Sequence, residues 1–325
     1  MGGRVEKEDK AREAMMKKLQ KLPEIFTAFY DWLDAREKSY TTMNNYINHV
    51  VEFKLFCDSR KKNEFYAGVT DETIDKYMTF IRRKTVNGET VEIGADIRAA
   101  KWSALSTFFK FLNHKQKYID SNPMLLTERP KVNVERAVTY MTPDEIESVF
   151  RKIAEEARPM IKNRDMCIMA MGLSTGLRVS AMVNINVEDV DFVNNTIRVV
   201  EKGRKVRDIN FAENLRNFLL IWMKDREIHF NGEATGPLFI SQKKTRMSVD
   251  SVEGLVKKYT AHLNKHITPH KLRSSAAMNM HGAGVDILTI ASILGHNQVT
   301  TTQRYTRAYD EDKKKATNIL DSLIT

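Results

Sequence analysis

Apolar residues recur at helical spacing in four runs within the first third of the chain. Such stripes predict four amphipathic helices joined by short connections, with a turn at Asn87-Gly88. The segment 23–122 is therefore expected to form a small helical bundle, with most of its aromatic residues in the core. The four runs are Ile25, Phe26, Phe29, Tyr30 and Leu33; Ile47, Val50, Val51 and Leu55; Ile74, Tyr77, Met78 and Ile81; and Ile97, Ala104, Leu105, Phe108, Phe111 and Leu112.

The pattern changes on both sides of this bundle. Residues 1–22 alternate charged with small or apolar side chains, which is typical of a solvated helix or a loosely held arm. The segment 123–140 is polar and has no apolar stripe, so we expect it to be a linker. A helix begins again where Thr142, Pro143 and Glu145 form a capping box with proline in the first turn. A second domain is thus expected over 141–325.

Alternating strands are restricted to this second domain. Residues 196–200 and 206–209 alternate apolar and polar, and the segment between them, with Gly203, predicts a β-hairpin. A third short strand at 237–241 is expected to complete the sheet. The predicted class is mainly α with a small antiparallel sheet, α+β.

Two more helices follow in the second domain. One begins near Thr268 and Pro269 and places His270 and Arg273 on one face. A second has apolar positions at helical spacing, with Asp286 as its N-cap and Gly295 as its stop. An arginine and a histidine together suit a phosphate, since arginine offers a charged fork and imidazole can carry a proton. The stripe of the second helix is Ile287, Ile290, Ala291 and Leu294.

The arrangement His270-x-x-Arg273, then Gly295-His296, then Tyr305 resembles the catalytic domain of the tyrosine recombinases. These are the phage-integrase family of site-specific DNA strand-exchange enzymes. Each motif is common alone, but this order and spacing are specific. In the family the phenol is the nucleophile. Tyr309 is the rival position, but its distance from His296 does not match the family.

Thr175-Gly176-Leu177-Arg178 is similar to the family segment in which a buried arginine starts a helix and points at the scissile phosphate. The amino terminus of that helix would add N–H donors close to the anion. The family commonly has an acidic residue three positions later, where this chain has Ala181. This difference puts the support of the arginine in question, but not the chemistry.

The tip of the predicted hairpin resembles the family turn whose lysine reaches into the minor groove. Lys202, directly before Gly203, matches that lysine, and Lys205 is the alternative. Contacts to DNA phosphates are expected for Lys205, Arg204 and Arg207.

The helical domain resembles, by helix count and position, the core-binding domain that clamps one face of the duplex in this family. Arg98 and Lys101, three positions apart on its fourth helix, are expected to face phosphates. A solvated helix face is the alternative for both.

The resemblance implies in-line attack by the Tyr305 phenol, which leaves a 3′-phosphotyrosyl link and a free 5′-hydroxyl. Arg178 and Arg273 would stabilise charge on the non-bridging oxygens, and His296 would add a hydrogen bond. The proton roles fall to His270 as general base and Lys202 as general acid. The resemblance implies no metal, and no cofactor is expected.

Composition permits this function without demanding it. The chain of 325 residues has 52 Lys and Arg against 42 Asp and Glu, a formal charge of +10 that favours a polyanionic partner. Cys57 and Cys167 lack the spacing of a disulfide framework or a zinc site. The apolar run 167–173 is too short to span a bilayer. A cytoplasmic, nucleoid-associated protein without membrane contact is expected.

The sequence therefore predicts a site-specific recombinase acting on double-stranded DNA as a tetramer on two sites, with an accessory directionality factor as a further partner. Mobile-element integration or excision is the expected role, and Xer-like chromosome-dimer resolution is the alternative. A type IB topoisomerase and a catalytically silent DNA-binding protein are the rival classes. The intact set of six side chains argues against a silent protein.

Overall fold

The structure, a computed structural model, describes residues 12–57, 64–86, 89–114, 118–132, 138–200, 205–230 and 235–295. The chain divides into two units, 1–134 and 135–325, each with its own apolar core. The division lies inside the range 123–140 that the sequence suggests as a linker. No helix of the described residues is long and apolar enough to cross a membrane.

The first unit is built from helices that follow the four predicted stripes. Their N-caps include Ser39 and Thr70, whose hydroxyls accept backbone N–H bonds from Thr42 and Thr73. The elements are α1 over residues 12–19, α2 Glu24–Asp34, α3 Tyr40–Phe56, α4 Asp71–Phe80, α5 Ala95–His114 and a 3₁₀ turn at Pro123–Leu126.

Aromatic side chains fill the core of the first unit, as predicted. Phe26, Phe29, Phe53 and Phe108 are fully buried. The rings of Phe29 and Phe108 meet edge to face with centroids 5.1 Å apart, a favoured geometry for aromatic pairs. Shape and apolar contact therefore dominate this core.

Two features of the first unit differ from the prediction. Residues 12–19 form a helix with most of its residues exposed, but one side of it is packed, because Met15 and Leu19 are each 1% exposed and belong to the core. A hairpin of strands β1 (Arg83–Val86) and β2 (Glu89–Glu92) surrounds the Asn87-Gly88 position. Its exposed second strand lacks the apolar alternation by which strands are recognised.

The second unit combines helices with a small antiparallel sheet, which confirms the predicted class. Its strands pair in the order β3-β4-β5. The elements are α6 Pro143–Glu156, α7 Pro159–Thr175, α8 Val179–Met182, a 3₁₀ turn Val187–Asp189, β3 Val190–Asp191, β4 Thr196–Val200, β5 Val206–Asn210, α9 Glu213–Phe230, α10 Val249–Thr260, α11 Pro269–Gly282 and α12 Ile287–Leu294.

The predicted third strand at 237–241 is wrong. The third strand of the sheet is β3, whereas Pro237 makes only an isolated bridge to Asn186. The apolar residues of this segment are buried against the core, with the Leu238 N–H donating to the Ile185 carbonyl. Burial of a short loop thus produced the same apolar pattern as a strand.

Helix α7 packs against both α9 and α11. It carries a buried ion pair in which Arg164 Nη2 lies 2.7 Å from Asp165 Oδ1. The Tyr259 hydroxyl donates to Asp165 Oδ2 at 3.0 Å, and Arg164 Nη1 donates to the Ile240 carbonyl at 3.0 Å. Burial raises the pKa of the Asp165 carboxyl, although the Arg164 guanidinium opposes the rise. These groups line an open concavity of about 570 Å³, which contains none of the predicted site residues.

Candidate active site

The segment that carries Arg178 leaves the carboxyl end of α7 through a tight turn. Gly176 ends the helix in the left-handed region, with φ 58° and ψ 24°. The Thr175 hydroxyl donates to the Met171 carbonyl at 2.6 Å and accepts the Leu177 N–H at 3.3 Å. Half-buried Arg178 is then the N-cap residue of α8. The expected helix start at Arg178 is confirmed.

Glycine is required at this turn for a second reason. A Cβ added to Gly176 would lie 2.4 Å from Leu294 Cδ2, at the carboxyl end of α12. Any side chain at position 176 would therefore force the buried Leu294 side chain to shift.

Arg273 lies on α11 between these two segments and is only 2% exposed. Its Nη1 donates to the Gly176 carbonyl at 2.7 Å, and its Nη2 donates to the Leu294 carbonyl at 2.6 Å. Hydrogen bonds from a charged donor are roughly twice as strong as neutral ones. One guanidinium therefore joins the turn before Arg178 to the helix end before Gly295.

His270 lies in the first turn of α11, one turn before Arg273, and is exposed. The predicted helix start is confirmed, with Pro269 in the first turn and Thr268 as N-cap residue, although the Thr268 side chain makes no capping bond. The Ser274 hydroxyl donates to the His270 carbonyl at 3.3 Å. The i, i+3 pair thus extends from the solvent-exposed rim to the buried interior.

Both predicted ends of α12 are confirmed. The Asp286 carboxylate accepts the N–H groups of Leu288 at 2.8 Å and Thr289 at 3.1 Å. The bond from the Thr289 hydroxyl and these backbone bonds lower the pKa of Asp286. Gly295 ends the helix with φ 64°. The predicted residues Lys202, Arg204, His296 and Tyr305, and the rival Tyr309, lie outside the described residues.

Arg207 on β5 lies against the same helix end. Its Nη1 donates to the Ile293 carbonyl at 2.9 Å and to the Ser292 carbonyl at 3.3 Å. The sequence assigns this arginine to DNA phosphates, but here its Nη1 donates to protein carbonyls. Nothing local in the sequence signals a contact across more than eighty residues. Lys205, two positions earlier, is exposed.

The two basic residues predicted to contact DNA from α5 are placed differently. Arg98 is half-buried and its Nε donates to the Ile93 carbonyl at 3.1 Å. Lys101 is 7% exposed and forms an ion pair with Glu52 at 2.5 Å. Lys101 therefore neither lies on a solvated helix face nor faces a phosphate here, because Glu52 neutralises its charge inside the unit.

The usual acidic position is also buried. Ala181 is 4% exposed within α8. A carboxylate at this position would therefore need a partner inside the protein, and a methyl group does not.

Comparison with known proteins identifies the family of the chain. Residues 139–312 match the Phage integrase family. Tyrosine recombinase XerC of Caldanaerobacter subterraneus subsp. tengcongensis is 30% identical over 331 residues, covering 95% of this chain and 90% of the relative. Tyrosine recombinase XerC of Bacillus subtilis is 30% identical over 292 residues, covering 87% and 91%. The chain belongs to the phage integrase family. It is a tyrosine recombinase, a DNA strand-transferase.

Solved structures share the fold. A XerH site-specific recombinase bound to a palindromic difH substrate aligns with a TM-score of 0.70 and 16% identity, covering 88% of this chain and 82% of that one. A lambda integrase dimer bound to a core site aligns with a TM-score of 0.64 and 17% identity, covering 86% and 96%. These likenesses confirm the predicted architecture.

Proposed function

We propose that this recombinase cuts and rejoins double-stranded DNA at specific sites through a 3′-phosphotyrosyl link to Tyr305. The observation that carries the proposal is the position of Arg273. Its buried guanidinium binds the Gly176 carbonyl, two residues before Arg178, and the Leu294 carbonyl, two residues before His296. Three motifs that are far apart in the sequence therefore converge on one charged group.

The chemistry follows from the types of side chain. An unperturbed phenol has a pKa of about 10, so Tyr305 needs a base and nearby positive charge at neutral pH. Arg178 stabilises the developing charge on the phosphate oxygens, the Arg273 guanidinium adds its positive charge while it binds the two carbonyls, and His296 donates a further hydrogen bond. The proton roles belong to His270 as base and Lys202 as acid.

The covalent ester keeps the energy of the broken bond. A 5′-hydroxyl from another duplex therefore attacks the phosphotyrosyl phosphorus, forms the new phosphodiester and releases the phenol. Neither ATP nor a metal ion takes part in this scheme. Exchange between two sites requires two pairs of protomers, so we propose a tetramer on DNA, with an accessory factor setting direction.

Two biological roles fit this chemistry. Mobile-element integration or excision is the expectation from the sequence, and Xer-like chromosome-dimer resolution is the other. The relatives above match nearly the whole chain and are XerC recombinases. This match favours the Xer-like role.

The nucleophile is tested with a nicked duplex that traps the covalent complex. Tyr305→Phe keeps its DNA affinity but forms no SDS-resistant complex, because the attacking oxygen is missing. Tyr309→Phe is the matched control and forms the complex as the wild type does. The reverse pattern would assign the nucleophile to Tyr309.

The biological role is tested by sequencing the genomic DNA trapped on the protein. A Xer-like role predicts a single chromosomal site, whereas trapped sites at the ends of a mobile element would contradict it. Relaxation of supercoiled DNA without a preferred site would instead indicate the topoisomerase class. A silent DNA-binding protein would trap nothing.

A further inference from the structure

The carboxyl end of α12 has hydrogen-bond donors for all four of its terminal carbonyls. The last four carbonyls of a helix, here those of residues 291–294, have no partner within the helix. The Gly295 N–H donates to the first two, Arg207 to the second and third, and Arg273 to the fourth. Two of these three donors are arginines that come from other elements of the second unit.

Arg207 connects this helix end to the β-hairpin. It is the second residue of β5 and pairs with Val199 across the sheet. The next pair, Val200 with Val206, is the last before the connection that carries Lys202. A single side chain therefore joins the loop end of the hairpin to the helix that ends two residues before His296.

Helix α12 depends on such contacts for its position. It has eight residues, and isolated helices of that length are not stable in water. A cation beside the last carbonyls also interacts favourably with the helix dipole. Removal of Arg207 leaves the Ile293 carbonyl without the charged donor that the structure provides, so the last turn loses one of its two external supports.

We propose that Arg207 is a positioning residue of the recombination reaction. It holds the end of α12, and hence the chain entering His296, in fixed relation to the hairpin that delivers Lys202. Arg207 acts through these two segments and not through a phosphate. This inference rests on the proposed function, because it assigns Arg207 to the same reaction.

The test compares Arg207→Ala with Arg198→Ala, which removes an equal charge from the same hairpin. Arg198 is exposed and forms only a surface pair with Asp208 at 3.5 Å. At saturating nicked DNA, Arg207→Ala should slow formation of the covalent complex by about 10- to 100-fold, the effect of a small misplacement of reacting groups. DNA affinity and its salt dependence should match those of Arg198→Ala.

Arg207→Lys provides a second arm. Lysine keeps the positive charge but lacks the planar fork, so it should recover only part of the lost rate. Hydrogen exchange followed by mass spectrometry measures the contact itself, independently of activity. Exchange in the last turn of α12 should become faster in Arg207→Ala and stay unchanged in Arg198→Ala.

Three results would overturn the proposal. They are a wild-type rate for Arg207→Ala at saturating DNA, a defect confined to weaker binding with a reduced salt slope, and unchanged exchange in α12. The second would identify a phosphate contact. If the wild type itself formed no complex, the proposed function would fail, and exchange alone would then decide whether Arg207 holds the helix.

Discussion

The two units bury different kinds of side chain. In the described part of the first unit the buried charged residue is Lys101. The core of that unit is rich in stacked and edge-on aromatic rings, beside aliphatic side chains. The described part of the second unit buries several ionised groups. Its arginines donate hydrogen bonds to main-chain carbonyls that are far away in the sequence. The pairs are Arg164 with Ile240, Arg207 with Ile293, Arg246 with Val183 and Arg273 with Gly176.

The difference shows what each unit has to hold in place. Among the described residues of the first unit, the arginine bonds to carbonyls are local, from Arg36 to Trp32 and from Arg98 to Ile93. Apolar packing fixes its helices, and such packing tolerates changes of shape better than changes of charge. The second unit fixes loops and helix ends, where backbone carbonyls need donors. A charged, directional donor can specify such a position.

Asp165→Ala should give the largest effect, because it leaves the Arg164 guanidinium buried without its carboxylate. Breaking a buried pair typically costs about 3–5 kcal/mol. Urea denaturation measures this loss, with Asp208→Ala, at the exposed pair with Arg198, as the control. A loss as small as that of the control would show that the comparison between the units overstates the buried charges.

Gly176→Ala should come next and act on the site directly. A left-handed residue costs about 1–2 kcal/mol more with a Cβ, and overlap with Leu294 adds about 1–3 kcal/mol. The Tm in thermal denaturation and the rate of covalent complex formation should both fall. Gly284→Ala is the matched control, since Gly284 also has a positive φ, of 87°, and its Cβ would meet nothing within 4 Å. Equal effects of the two substitutions would rule out the close approach.

Phe109→Leu tests the apolar core of the first unit. Phe109 is fully buried and contacts the rings of Phe53 and Phe108. We expect a loss of about 1–2 kcal/mol, since an apolar side chain of similar volume remains. Covalent complex formation at saturating DNA should keep its wild-type rate. A loss as large as that of Asp165→Ala would remove the distinction between the two cores.

The smallest effect should be the pH-dependent contribution of Glu145 to the free energy of unfolding. Burial alone would raise its pKa, but the Lys265 ammonium and the Thr142 backbone N–H together lower it. The charged form therefore adds stability above the unfolded pKa of about 4.3, and this is lost as pH falls through the lower folded pKa. Glu145→Gln should cost about 1 kcal/mol or less at pH 7, since Lys265 is partly exposed.

The measurement is the unfolding free energy of both proteins from pH 7 downwards. The difference should vanish in acid, where Glu145 is neutral in both states. A difference that persists in acid would show that the residue acts through packing alone.

Local signals in the sequence predicted local structure well. The capping box of Thr142 and Glu145, the Asp286 cap and the glycine stop at 295 all appear in the fold. Each of these features depends on residues a few positions apart. Their physical cause is therefore contained in a short stretch of chain.

Long-range contacts were beyond the reach of the sequence. The charge of Arg207 is the same whether it binds a phosphate or a carbonyl, and the sequence contains no sign of which. Lys101 meets Glu52 through tertiary packing, and Met15 is buried for the same reason. The apolar run at 237–241 was misread because a buried loop and a strand have the same pattern. Helices and their caps were thus predictable, but the distant partners of the side chains were not.

The arginine hydrogen bonds at the end of α12 use backbone carbonyl oxygens, which all twenty amino acids possess. Substitutions at positions 292–294 can therefore accumulate during evolution without loss of the acceptors, provided that the helix forms. Correlated changes between aligned sequences would not reveal Arg207 or Arg273 as their partners. Replacement of a single backbone amide by an ester weakens the carbonyl as an acceptor. It would therefore reveal these hydrogen bonds where side-chain substitutions do not.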